Sequence, residues 1–207
     1  MSTHRTLAVV TAGLSQPSST RLLADRLSGA AADALREQGQ EVDVEVVELR
    51  EHAHAVVDAM LTGFPAGELA QVLQTVTSAD GLIMVSPLFT TTYSGLFKSF
   101  VDVLDPDALT GKPVLLGATG GTQRHSLALD YSMRPLLTYL RTQVMPTAVF
   151  AATDDWAGQT DAAALPRRIA RAGRELADAV AARPAATAPD DPFGDTPDFA
   201  RLLDGGR

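Results

Sequence analysis

The sequence predicts a single open α/β domain: a five-stranded parallel sheet, strand order 2-1-3-4-5, with helices on both faces. Three observations carry that expectation. Several apolar runs lack alternation, as strands buried on both faces do. Segments with apolar residues at helical spacing intervene between them. Strand and helix then alternate along the chain without an internal repeat, the pattern of a doubly wound sheet. The 207 residues are enough for one such domain with a sizeable core.

Residues 5–12 (RTLAVVTA) are an unbroken apolar run ending at Gly13, the first strand. Residues 18–37 read as a helix with Leu23, Leu27, Ala31 and Leu35 on one side and Gly39 marking its end. Residues 42–49 (VDVEVVEL) alternate, as a strand nearer an edge does. Residues 50–64 are expected to be loop with a helical piece, and 67–78 a short helix. The third strand is 81–86 (GLIMVS), followed by a helix over 94–104. The fourth is 112–118 (KPVLLGA), followed by a helix over 124–140 in which Pro135 is the kink position. The fifth strand is 142–151, and 161–182 is an alanine-rich helix with Leu165, Ile169 and Leu176 inward. The domain is expected to span 1–182. The Pro-, Asp- and Gly-rich tail at 183–207 is expected to be poorly ordered or docked on a neighbour.

Composition removes whole classes of chemistry. The chain has no cysteine, which excludes disulfides, thiolate metal sites, iron–sulfur clusters and cysteine nucleophiles, including cysteine-dependent phosphatase chemistry. A net charge of -8 makes nucleic acid and anionic membrane poor partners. It leaves anionic cofactors open, because backbone N–H groups bind phosphate without a lysine. No His/Asp/Glu cluster has metal-ligand spacing. The N-terminus lacks a long apolar stretch with a cleavage site, so a cytoplasmic protein is expected.

In an open α/β sheet, ligands lie beyond the carboxyl ends of the strands where strand order reverses. Three loops fall there. The first, residues 13–20 (GLSQPSST), joins a buried strand to a helix start. Ser15, Gln16, Ser18, Ser19 and Thr20 are its candidate phosphate ligands, with the helix dipole favouring an anion. Ser18 or Ser19 can equally serve as helix cap. The loop lacks the Lys-Ser/Thr of a P-loop and is not GxGxxG. The second, residues 86–95 (SPLFTTTYSG), offers Pro87, Leu88, Phe89 and Thr90 as a stiff, apolar wall for a planar ring, or is an ordinary strand-to-helix connection. The third, residues 118–125 (ATGGTQRH), offers Thr119, Gly120 and Gly121, whose N–H groups suit a ring edge that gains negative charge on reduction. It also reads as a helix-leading turn capped by Thr122. His125 is a candidate ring or substrate contact, against a surface role.

With these loops in view, the chain resembles the NADPH-dependent FMN reductase family of flavodoxin-like proteins, over about residues 5–180. The most specific motif is SPLFTTTYSGLFKSFVD. The family's version reads roughly Ser-Pro-x-Tyr-x-x-Ser-x-x-Gly-x-Leu-Lys-x-x-x-Asp. Ser86, Pro87, Gly95, Lys98 and Asp102 match it, Phe89 stands in the tyrosine position and Phe97 in the leucine position. The first motif departs from the family's Gly-Ser-x-Arg-x-x-Ser: Gly13, Ser15 and Ser18 fall near it, the arginine is missing and Leu14 is inserted. The helix HSLALDYSMRPLLTYL is similar to actinobacterial FMN reductases that work beside luciferase-like monooxygenases.

The resemblance implies FMN as cofactor or substrate, NADPH or NADH as reductant, and chemistry carried by the flavin with no catalytic side chain. It implies a homodimer or tetramer in which the partner chain finishes the ring pocket, with residues 50–66 and the tail in the contact. A flavin-dependent monooxygenase is the implied recipient of reduced flavin. Arg21, Arg124 and Arg134 are candidates for a ribose phosphate, and Lys98 pairs with Asp102 one helical turn on. Rival readings are a quinone, azo-dye or chromate reductase, a non-enzymatic electron carrier, and a partner-binding domain without cofactor.

Overall fold

The computed structural model describes residues 3–156 and 163–185. In chain order these form β1 (His4–Thr11), α1 (Ser19–Glu37), β2 (Glu41–Glu48), α2 (Ala53–Thr62), α3 (Glu68–Ser78), β3 (Gly81–Phe89), β4 (Thr92–Tyr93), α4 (Gly95–Asp102) and β5 (Pro113–Gly120). They continue with α5 (Arg134–Tyr139), β6 (Gln143–Val144), β7 (Val149–Ala152), α6 (Thr153–Trp156) and α7 (Ala164–Ala181). Residues 161–162 of the expected last helix and 186–207 of the tail lie outside the described residues.

The fold is α/β with a parallel sheet and a helix layer on each face. The centre of β1 is apolar because both faces are covered: Ala8 and Val10 point to the layer of α2 to α5, Leu7 and Val9 to that of α1 and α7. α1 and α7 cross closely. A Cβ on Gly173 would lie 2.7 Å from the Ala30 carbonyl carbon, so the glycine sets the spacing of the two helices.

The expected five-strand order needs correction. Among the described residues the sheet has seven strands, in the order β2-β1-β3-β5-β6, with β4 on β3 and β7 on β5. Two local causes account for the excess. β3 runs past Pro87 and turns back as a two-residue antiparallel strand, pairing Leu88 with Tyr93. The expected fifth strand is broken at Pro146, which has no N–H to donate to β5. β6 and β7, on either side of the break, both pair parallel with β5. The groups freed there are taken by side chains: Arg134 donates to the carbonyls of Met145 and Pro146, and Glu175 accepts from Thr147 N–H at 2.8 Å.

The helix expected over 124–140 is also divided. A 3-10 turn (Gln123–His125) and a π turn (Leu129–Met133) precede α5. Pro135 cannot donate to the Tyr131 carbonyl, and the ladder widens just before it. The segment expected to be mostly loop at 50–64 is largely helical, through a 3-10 turn (Leu49–His52) and α2.

At the end of the sheet where the strands begin, Arg5 is buried beside Asp80. Its Nη1 donates to Asp80 at 3.1 Å and its Nη2 to the Arg183 carbonyl at 2.7 Å, while Asp80 also accepts from Thr6 N–H. This ties β1, the start of β3 and the end of α7 together.

Candidate active site

The opposite end is where β1, β3 and β5 deliver the three loops side by side. They enclose a cleft of about 340 Å³, within the range of small-ligand sites. Leu14, Ser15, Ser19 and Thr20 line it from the first loop, Pro87, Leu88 and Phe89 from the second, Thr119, Gly120 and Gly121 from the third. Thr153, the first residue of α6, closes the circuit.

Local rules place these groups. Ser18 caps α1, its Oγ accepting from Arg21 N–H at 3.2 Å. Gly13 makes room for that cap, since a Cβ there would sit 2.2 Å from Ser18 Oγ. With Ser18 spent on Arg21, the N–H groups of Ser19 and Thr20 face out of the helix end, where an anion is favoured. The buried Thr20 and Thr119 hydroxyls share a 2.8 Å hydrogen bond, joining the first loop to the third. In the second loop, Ser86 Oγ accepts from Ser94 N–H at 3.0 Å, and Ser94 caps α4 through Phe97 N–H. Between them Thr90 and Thr91 form the hairpin tip with φ of 49° and 72°, a left-handed conformation that branched residues rarely adopt. Leu14 and Phe89 stay about half exposed at the cleft mouth, an apolar rim.

The residues expected from sequence therefore divide. Ser15, Ser19, Thr20, Pro87, Leu88, Phe89, Thr119, Gly120 and Gly121 come together in the cleft wall. Ser18 is the helix cap beneath it. Thr90 sits on the hairpin tip, and His125 is exposed on the following 3-10 turn. Gln16 is not among the cleft-lining residues; with its amide assigned so that the oxygen faces Arg50, it accepts from both Arg50 Nη groups, Nη1 at 2.6 Å. Leu14 and Thr153 were not anticipated. Leu14 looked like an insertion in a polar loop, and Thr153 follows a strand whose end the Pro146 break obscures.

The basic candidates divide as well. Arg21 binds Asp25 at 2.7 Å and Glu48 at 2.5 Å. The hydrogen bond that Arg21 donates to Asp25 outweighs the opposing cost of burial and, with the nearby charges, holds its guanidinium above its ordinary pKa. Arg134 is committed to Asp130 and the strand break. Arg124 is exposed. Lys98 pairs with Asp102 as expected, at 2.5 Å.

The cleft fits a phosphorylated planar ligand on the chemistry of its donors. None of the described residues that line it is charged. Its polar groups are hydroxyls and backbone amides beside a helix N-terminus, which accept a phosphate without carboxylate repulsion. A Cβ built on Gly121 meets nothing within 4 Å, so that backbone faces open space. A neighbouring depression of about 260 Å³ below the π turn has its two arginines, Arg134 and Arg168, paired to Asp130 and Asp155. Among the described residues, no helix is long and apolar enough to cross a membrane.

Comparison with known proteins agrees with this geometry. The family model described as NADPH-dependent FMN reductase matches residues 5–157. The NADH-dependent FMN reductase SfnE of Pseudomonas putida is 34% identical over 82% of this chain and 89% of its own length. An FMN reductase (NADPH) of Pseudomonas aeruginosa is 35% identical over 72% of this chain and 78% of its own. The X-ray structure of an oxidoreductase from Corynebacterium diphtheriae superposes with a TM-score of 0.85 at 46% identity, covering 88% of this chain and all of that one.

Proposed function

The chain belongs to the NADPH-dependent FMN reductase family, and from that premise we propose that it reduces flavin with NAD(P)H at the cleft described above. When bound, FMN supplies the redox chemistry by accepting hydride from a nicotinamide nucleotide. The chain's own residues bind and orient. Ser15, Ser19 and the first N–H groups of α1 would hold the phosphate, and Pro87, Leu88 and Phe89 would form one wall for the ring. The Gly120 and Gly121 amides would serve as donors toward the ring, where donors favour the reduced form. The single observation that carries this reading is the convergence of all three loops on one uncharged, donor-rich cleft.

Exposed Leu61 and Phe64 at the end of α2 support a homodimer or tetramer built partly through residues 50–66. The family resemblance supports release of reduced flavin to a monooxygenase in the cytoplasm.

Steady-state NADPH and NADH oxidation with FMN, riboflavin and a quinone as acceptors tests the reading. Flavin is expected to be preferred over quinone. Ser19→Asp is expected to raise the FMN KM at least about tenfold through charge repulsion and to leave the riboflavin KM little changed. Quinone preference, or an equal effect on both flavins, would overturn it.

A further inference from the structure

The first loop lacks the arginine of the family motif, yet the structure brings an arginine to it from elsewhere. Arg50, in the 3-10 turn after β2, meets the loop at Gln16, and neither residue is among those that line the cleft. With the Gln16 amide assigned so that its oxygen faces Arg50, both Nη groups donate to it, and the buried Nε of Arg50 sits 2.9 Å from Glu48 Oε2 as an ion contact without hydrogen-bond geometry. Glu48 is shared: its other oxygen accepts from Arg21 at 2.5 Å. The chain Gln16–Arg50–Glu48–Arg21 thus grips the loop immediately before and after residues 17–20. The side chains of Arg50 and Glu48 are each only 20% exposed, so water competes weakly for these contacts.

Charge counting decides what such a clasp does. Arg21 and Arg50 face the carboxylates of Asp25, Glu48 and Glu51. The cluster carries no net positive charge to attract an anion. Its effect is geometric: it holds Ser15, Ser19 and the α1 amides in place before a ligand arrives, so that binding does not pay for ordering them.

We propose that Arg50 is a positioning residue for the phosphate end of the cleft, acting through Gln16 and Glu48 rather than by touching the ligand. The proposal rests on the phosphate assignment made above, and the test separates the two. Binding of FMN and of riboflavin, which lacks the phosphate, is measured by flavin fluorescence quenching without nicotinamide.

Arg50→Met is expected to weaken FMN binding about tenfold, the scale of one charge-assisted hydrogen bond, with riboflavin affinity unchanged. Gln16→Ala is expected to show the same selective loss. The double variant is expected to be no weaker than the weaker single one, because both break the same clasp. Arg50→Lys is expected to recover part of the loss by restoring a donor to Gln16. Unchanged FMN affinity in Arg50→Met, equal losses for FMN and riboflavin, or losses that multiply in the double variant would each overturn the proposal. A wild-type protein that binds riboflavin as tightly as FMN would instead overturn the phosphate assignment itself.

Discussion

Thr20 and Thr119 illustrate how a single buried hydroxyl pair can be worth more than its one hydrogen bond. Both residues are less than 5% exposed, so neither hydroxyl has water to fall back on. Thr20→Val leaves Thr119 unpaired and is expected to cost about 1–3 kcal/mol, while Thr20→Val with Thr119→Val recovers most of that. Thr11 is the converse. Its hydroxyl is buried without a partner among the described residues, so Thr11→Val is expected to be neutral or stabilising. Urea unfolding of the flavin-free variants checks both signs. A double variant less stable than Thr20→Val would show that packing, not pairing, dominates there.

At the scale of elements, the broken fifth strand has a measurable signature in Glu175. Burial alone pushes this carboxyl up, but bonds from the Thr147 hydroxyl and N–H, helped by Arg171, outweigh it and hold its pKa below the ordinary value. A depressed folded pKa contributes stability that is present above the unfolded pKa and is lost as pH falls through the folded one. Glu175→Gln is therefore expected to be less stable than wild type at pH 7, with the gap closing below about pH 4. A gap independent of pH in thermal melts would rule out the carboxylate as the cause.

The same strand shows what the sequence could and could not convey. Buried strands and the Ser18 cap were legible because they depend on neighbours along the chain. The three loops were legible because a doubly wound sheet puts alternate connections at one end. The Pro146 break was visible as a proline, but its repair by Arg134 and Glu175 spans separate elements. The contact of Gln16 with Arg50 was not legible for a like reason: Arg50 lies far along the chain, in a segment expected to be loop with a helical piece.

The whole molecule is tied unevenly. The end where the strands begin holds a buried ion pair, with side chains of Arg5 and Asp80 4% and 7% exposed. Removing one partner of such a pair is costly, because it strands the other. At the cleft end the Arg21–Glu48–Arg50 cluster holds the first loop, while the second and third loops have a left-handed hairpin tip, one hydroxyl pair and a half-exposed Phe89 in its place. Hydrogen exchange is therefore expected to be slowest at the amides of β1 and β3 near Thr6 and Asp80, and fastest in the hairpin tip at 89–92 and the loop at 118–125. Added FMN is expected to slow only the second group. Uniform protection on adding flavin would contradict this division. Such a molecule resembles a clamp riveted at its base: breathing starts at the jaws, and whatever they grip steadies them while the rivet at Arg5 stays as it was.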